Sequence, residues 1–199
     1  MDNNTYIVVD PDSGEAALVD PSFDSRRIWP KIQEAGWKIR WVLNTHGHFD
    51  HVVENTYFVE ATRAPLAIHE DDLSLLRSAP HQASLFGITI DPSCEPNYLL
   101  KPGQLVPLGG NSLRVVFTSG HSPGSVSFIG DGFVIAGDVL FRGSIGRTDL
   151  PGGSLKTLLE SIRTELFILP DETIVYPGHG QETTIGHERT TNPYLQEQD

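Results

Sequence analysis

The chain has 199 residues, with 26 acidic side chains against 14 basic ones, for a net charge of -12. That length fits one domain whose core needs no covalent staples, and a single cysteine, Cys94, excludes a disulfide framework or a Cys-rich zinc finger. The acidity argues against a nucleic-acid partner and an anionic membrane surface, and no run approaches the roughly 18 apolar residues of a membrane span.

In chain order, Tyr6–Val9 and Ala16–Val19 read as two short strands joined by turn residues from Asp10 to Gly14. Ile28, Ile32 and Ala35 share a helical face that Gly36 stops, and Ile39–Leu43 is a strand ending just before His46. A helix over Val52–Thr62, a strand over Pro65–Ile68 and a helix over Asp71–Ser78 follow, and then a long loop over 81–104 rich in Pro and Gly. A strand Leu113–Phe117 leads to His121. Val126–Ile129 and Phe133–Ala136 form a second hairpin, a helix starts at the N-cap Ser154, and a strand Thr173–Tyr176 ends before His179. Hairpin, helix, strand and histidine thus occur twice. This predicts an α/β protein of two similar halves, with two sheets face to face and helices outside. The start of the chain has no basic segment followed by an apolar one, so a cytoplasmic protein is expected.

The eight histidines stand against only four lysines, and three of them fall in Thr45-His46-Gly47-His48-Phe49-Asp50-His51. Imidazole and carboxylate are ligands for zinc or iron. In a turn after a strand, His46 and His48 can face one site while Asp50 and His51 face its neighbour. His121 in Ser119-Gly120-His121-Ser122-Pro123-Gly124, Asp138 in Ala136-Gly137-Asp138, and His179 in Tyr176-Pro177-Gly178-His179-Gly180 are further ligand types at strand ends, set among glycines.

Together these motifs resemble the metallo-β-lactamase superfamily, over nearly the whole chain from the Tyr6 hairpin to Asn192-Pro193-Tyr194-Leu195. The resemblance implies a single domain over residues 1–199 with the αβ/βα four-layer sandwich of that fold. It implies two divalent metal ions per chain, zinc first, with iron and manganese also compatible. His46, His48 and His121 would hold one ion; Asp50, His51 and His179 would hold the other; Asp138 would bridge them. The segment from Gly137 to Gly153 is similar to the type II glyoxalase branch, which implies hydrolysis of an acyl thioester or ester by a metal-bound hydroxide. Asp50 and Asp138 are then the catalytic carboxylates, with Asp50 able to accept the proton of the nucleophile. Arg142 and Arg147, near the Asp138 loop, are the candidate substrate contacts. His69, His81 and His187 are expected outside the ligand set.

Two departures from that branch stand out. Only about twenty residues follow His179, so no counterpart is expected for the helical domain that helps two-domain type II glyoxalases bind glutathione, and the chain resembles the short single-domain bacterial hydrolases. Relatives also carry a strand before the segment matching Asn4-Thr5-Tyr6. Its absence would leave an edge open to homo-oligomer formation by strand pairing or exchange.

The same residues also bear on other activities. Gly120-His121-Ser122-Pro123-Gly124 fits the G-x-S-x-G serine elbow, but the following Pro123 lacks the N–H which that oxyanion hole needs. The chain also resembles persulfide dioxygenases, whose single iron would take His46, His121 and Asp138. A lactonase and a non-catalytic metal-binding module complete the alternatives.

Overall fold

The computed structural model describes residues 3–196. The chain begins with strands β1 (Tyr6–Val9) and β2 (Glu15–Val19), a 3-10 turn and helix α1 (Trp29–Glu34), then strand β3 (Lys38–Leu43). Helices α2 (Phe49–Val52) and α3 (Asn55–Thr62), strand β4 (Leu66–His69), helix α4 (Leu73–Ser84) and strand β5 (Tyr98–Leu100) complete the first half. The second half holds β6 (Leu105–Leu108), β7 (Asn111–Phe117), β8 (Val126–Gly130), β9 (Phe133–Gly137) and a small hairpin of β10 (Leu140–Phe141) and β11 (Ser144–Ile145). Helix α5 (Leu155–Ser161), strands β12 (Ile174–Pro177) and β13 (Thr183–Thr184), and helix α6 (Ile185–Thr191) close it.

Two mixed sheets result, ordered β1-β2-β3-β4-β5 and β13-β12-β9-β8-β7-β6. Alternation along the strands shows how they stack. In β2, Ala17 and Val19 face the second sheet and pack with Val115, Phe128 and Ile135, while Ala16 and Leu18 face Ile32 of α1 and Phe58 of α3. In β9, Ile135 faces inward and Val134 and Ala136 face Leu158 of α5 and Ile185 of α6. Strands buried on both faces, with helices outside each sheet, give the four layers expected from the sequence.

The repeated pattern is also present. In each half a hairpin is followed by a helix and a strand parallel to the hairpin's second strand: β2 with β3, and β9 with β12. Strands β7 and β9 both run antiparallel to β8, so β7, β9 and β12 point the same way. Their C-terminal ends, like that of β3, lead into the loops that carry the ligand-type residues.

Several expectations are corrected. The single helix over Val52–Thr62 is two helices: the Glu54 N–H bonds the Pro21 carbonyl at 2.9 Å instead of continuing the turn, and Asn55 exchanges two amide hydrogen bonds with Asn44. The helix expected to end at Ser78 runs to Ser84 through Pro80, because Leu76, Ala79 and Ala83 form one buried face whose packing outweighs the lost backbone bond. The loop expected over 81–104 therefore shrinks, and β5 inside it pairs with β4. Strand β6, hairpinned to β7 through Gly109 and Gly110, begins one residue beyond that loop. Strand β1 is the outer strand of its sheet among the described residues. Asn3 and Asn4 cross to the other sheet, where the Asn4 N–H bonds the Gly178 carbonyl at 2.8 Å. No helix among the described residues is long and apolar enough to cross a membrane.

Candidate metal centre

The loops after β3, β7, β9 and β12 bring all seven predicted ligand-type residues together. The donor atoms of His46, His48 and His121 lie within 4.8 Å of one another, and so do those of Asp50, His51 and His179. Asp138 stands between the two groups. One carboxylate oxygen, Oδ2, is 3.6 Å from His121 Nε2 and 3.5 Å from His179 Nε2; the other, Oδ1, is 3.4 Å from His51 Nε2.

Outer contacts fix which nitrogen each ring turns inward. His121 Nδ1–H donates to the Arg147 carbonyl at 2.8 Å, so Nε2 points into the cluster. His51 Nδ1 is 3.2 Å from Asp20 Oδ2, again leaving Nε2 inward. His46 Nδ1 is 3.0 Å from Thr45 Oγ1, and that hydroxyl donates to Asp20. Asp20 also accepts from the Thr45 N–H. This buried carboxylate, outside every motif, thus holds the start of the histidine loop. A second one, Asp72, accepts from the backbone N–H groups of Gly47 and Gly124 and from the Ser122 hydroxyl. Asn3 donates to Asp50 Oδ2 at 2.9 Å. None of these three had a spacing signal in the sequence. What could have flagged Asp20 is only that it ends an apolar strand.

The electrostatics split the cluster. Burial, reinforced by the neighbouring imidazoles, holds His46 far below the ordinary histidine range and lowers His48 to about 4. Burial also disfavours charge on His51, yet Asp138 and Asp20 overcome it and raise His51 well above that range. Hydrogen bonds to Asp138 and Asp50 raise His179 to about 9. Burial likewise opposes the ionised forms of Asp50 and Asp138, but the imidazoles of His179 and His51 hold both carboxyls below their usual range. Burial pushes Asp72 up.

The residues fit a metal cluster. His46 Nε2 and Asp138 Oδ1 are buried atoms that make no hydrogen bond, although His51 stands close to the latter. A buried imidazole nitrogen and carboxylate oxygen are costly unless something electropositive faces them. Five imidazoles and two carboxylates supply N and O donors suited to zinc, iron or manganese.

The two arginines differ from the ligand-type residues. The Arg147 guanidinium pairs with Asp149 through two bonds of 2.7 Å in solvent; its carbonyl, not its charge, meets the cluster. Arg142 bonds Gln181 Oε1 at 3.2 Å and borders an open cleft with Ile174, Glu182 and His187. Ser122 is fully buried and its hydroxyl donates to Asp72, so the serine-elbow arrangement is absent from the fold. His69 accepts from the Asp71 N–H and lies against Phe117, outside the cluster.

Comparison with known proteins agrees with this geometry. The family model of the metallo-beta-lactamase superfamily matches residues 1–179. A hydroxyacylglutathione hydrolase GloC of Haemophilus influenzae is 38% identical, over 92% of this chain and 89% of its own length. Among solved structures, the BLEG-1 B3 metallo-beta-lactamase superposes with a TM-score of 0.91 at 34% identity, over 98% of this chain and 95% of the other. TTHA1623, in a di-iron-bound form, superposes with a TM-score of 0.89 at 38% identity, over 97% and 95% of the two chains.

Proposed function

We propose, from the premise that this chain belongs to the metallo-beta-lactamase superfamily, that it is a binuclear metal-dependent hydrolase of acyl thioesters of the hydroxyacylglutathione type. The observation that carries the reading is the position of Asp138. One carboxylate lies within 3.4–3.6 Å of imidazoles from both donor groups, which favours a shared pair of ions over a single one. His46, His48 and His121 would hold one ion, Asp50, His51 and His179 the other, and Asp138 both. When bound, divalent ions at such a cluster supply a nucleophile at neutral pH and polarise a carbonyl oxygen.

The chain's own residues contribute orientation and proton handling. Thr45, Asp20 and the Arg147 carbonyl fix three rings so that their Nε2 atoms converge. Asp50, held by Asn3 and kept ionised beside His179, can orient the nucleophile and accept its proton. A thiolate leaving group needs little protonation, which agrees with a site that presents no strong acid. The similarity to GloC supports the thioester class, and the di-iron form of TTHA1623 supports iron beside zinc as a compatible metal. The lone cysteine and the absence of a long apolar helix among the described residues agree with a cytoplasmic setting.

The test is metal content per chain measured together with hydrolysis of a panel of S-lactoylglutathione, simple acyl thioesters, a lactone and a β-lactam. The expected result is about two ions per chain and a preference for thioesters. One iron per chain with oxygen uptake that depends on glutathione persulfide would overturn it. So would faster turnover of the β-lactam, given the likeness to BLEG-1.

A further inference from the structure

Asp72 lies outside every ligand motif, yet it is fully buried at the start of α4 and touches both histidine loops. Its Oδ2 accepts from the Gly47 N–H at 2.8 Å and from Ser122 Oγ at 2.7 Å; its Oδ1 accepts from the Gly124 N–H at 2.6 Å. Gly47 lies between His46 and His48, and Ser122 follows His121. One carboxylate therefore ties together the three loop positions that carry the first donor group. The loops are packed onto it as well as bonded. A Cβ at Gly47 would come within 2.8 Å of the Asp72 carbonyl and Leu76 N, and one at Gly124 within 2.6 Å of Asp72 N. Ser122 Oγ is also 2.6 Å from Ser125 Oγ, which accepts from the Ser122 N–H at 3.2 Å. In the Asp50, His51 and His179 group the corresponding anchor is Asp20, whose Oδ2 lies 3.2 Å from His51 Nδ1.

We propose that the Asp72–Ser122 pair is a positioning latch that sets the spacing of His46 and His48 against His121, and so the metal affinity of that group alone. The inference rests on the metal-cluster reading above. The energetics follow from the chemistry of the acceptor. Three donors converge on two ionised oxygens, and only a carboxylate offers two acceptors there. An asparagine would turn an NH2 toward the Gly124 N–H or toward Gly47 and Ser122, setting donor against donor in a buried place. Removing the Ser122 hydroxyl is gentler, since both backbone bonds to Asp72 remain. Loss of such outer contacts costs on the order of 10–100-fold in metal affinity at sites of this kind.

The experiment titrates Zn2+ into the metal-free full-length chain against a chromophoric chelator, for the wild type, Ser122→Ala and Asp72→Asn. Each is repeated in a His179→Ala background, which leaves the first group, and a His48→Ala background, which leaves the second. Thermal melts of the metal-free proteins are run beside them. Ser122→Ala is expected to weaken Zn2+ binding about tenfold in the His179→Ala background and to leave it unchanged in the His48→Ala background, at an unchanged melting temperature. Asp72→Asn should show the same selectivity with a larger loss. Equal weakening in both backgrounds assigns the pair a general structural role and overturns the proposal. So does affinity in the first group within twofold of the parent, or a wild type that takes up no Zn2+. A wild type that binds two equivalents yet cleaves no thioester removes the hydrolase reading and leaves the latch standing.

Discussion

The two donor groups of the cluster, three histidines in one and two histidines with an aspartate in the other, behave oppositely. His46, His48 and His121 are almost entirely buried, and burial keeps His46 and His48 neutral. Asp50, His51 and His179 form ion pairs with one another and with Asp138, and the His179 side chain is one-third exposed. The first group thus holds His46 and His48 neutral, with His46 Nε2 unpartnered and His48 Nδ1 2.9 Å from His121 Nε2, whereas the second already satisfies its own charge. The difference comes from carboxylate placement. Asp20, Asp50 and Asp138 all flank the second group, whereas at the first Asp138 Oδ2 lies 3.6 Å from His121 Nε2, and Asp72, behind the loops, is spent on backbone N–H groups and a hydroxyl. A protein can therefore make one histidine a neutral ligand and its neighbour, three positions on, a charged partner without changing the residue type.

The largest effect should come from the residue shared by both groups. Asp138→Ala is expected to lower kcat/KM for the best thioester by about 10²–10⁴-fold, the scale for loss of a positioned acid–base or ligand group. His46→Ala, which touches the buried group directly, should fall in the same range. Loss of metal from both groups in Asp138→Ala, but from only one in His46→Ala, would support the shared role. Retained activity in Asp138→Ala would remove it.

Next comes a probe that moves the shared carboxylate without deleting it. A Cβ at Gly178 would overlap Asp138 Oδ1 and approach His51 Cε1 to 2.8 Å. Gly178→Ala should displace the Asp138 carboxylate by a fraction of an ångström to an ångström, costing about a hundredfold in kcat. The melting temperature of the metal-free chain should fall as well, because the buried His51 ring and the Gly137 backbone carbon at 3.2 Å give way less readily than the carboxylate. A circular-dichroism melt beside the kinetics checks both.

These contrasts were only partly legible in the sequence. The seven ligand-type residues were readable because they cluster in one short motif or sit at strand ends among glycines. The repeated hairpin, helix and strand were readable from alternating apolar runs, and Ser154 caps α5 as its position predicts, accepting from the Thr157 N–H. Asp20 and Asp72 were not readable. A lone carboxylate gains its role from atoms 25 to 52 residues away, and no local spacing encodes that. Strand β5 has three residues, too few to show a period, and the path of α4 through Pro80 depends on a buried face that only the tertiary packing supplies. The two arginines were placed near the cluster by proximity in sequence, whereas their guanidinium groups are engaged by Asp149 and Gln181.

Removal of metal sharpens the comparison at intermediate size. A ligand held at a hundred times its Kd stabilises the folded state by about 2.7 kcal/mol, or roughly 5–10 °C for a chain of this length. Chelation should lower the melting temperature on that scale. A weak chelator should empty the Asp50, His51 and His179 group first, since its imidazoles regain carboxylate partners when the ion leaves. The His46, His48 and His121 group regains less, the His48–His121 contact and the 3.6 Å approach of His121 to Asp138, and should hold its ion longer. A single-step loss of both ions during graded chelation would break the contrast.

The smallest effect is the pH dependence of the metal-free chain, and here the groups pull in opposite directions. A lowered histidine binds protons more weakly folded than unfolded. His46 and His48 therefore cost stability as pH falls below the unfolded value of about 6.5, with His48 reaching its limit near its folded value of about 4. Raised histidines do the reverse. His51 and His179 give stability that is complete below about 6.5 and is lost as pH climbs, through about 9 for His179. Asp50 and Asp138, held low, keep their contribution throughout this range and lose it only as pH falls below about 4. The melting temperature should accordingly peak near pH 6.5 and fall on both sides. The His179 share of the alkaline limb should be only about 2–4 °C deep, because solvent screens that partly exposed ring. His179→Asn should make the alkaline limb shallower, leaving the His51 share, and His48→Asn should do the same to the acid limb, leaving the His46 share. A profile that His179→Asn alters on its acid side instead would show that the assignment of neutral and charged imidazoles to the two groups is reversed.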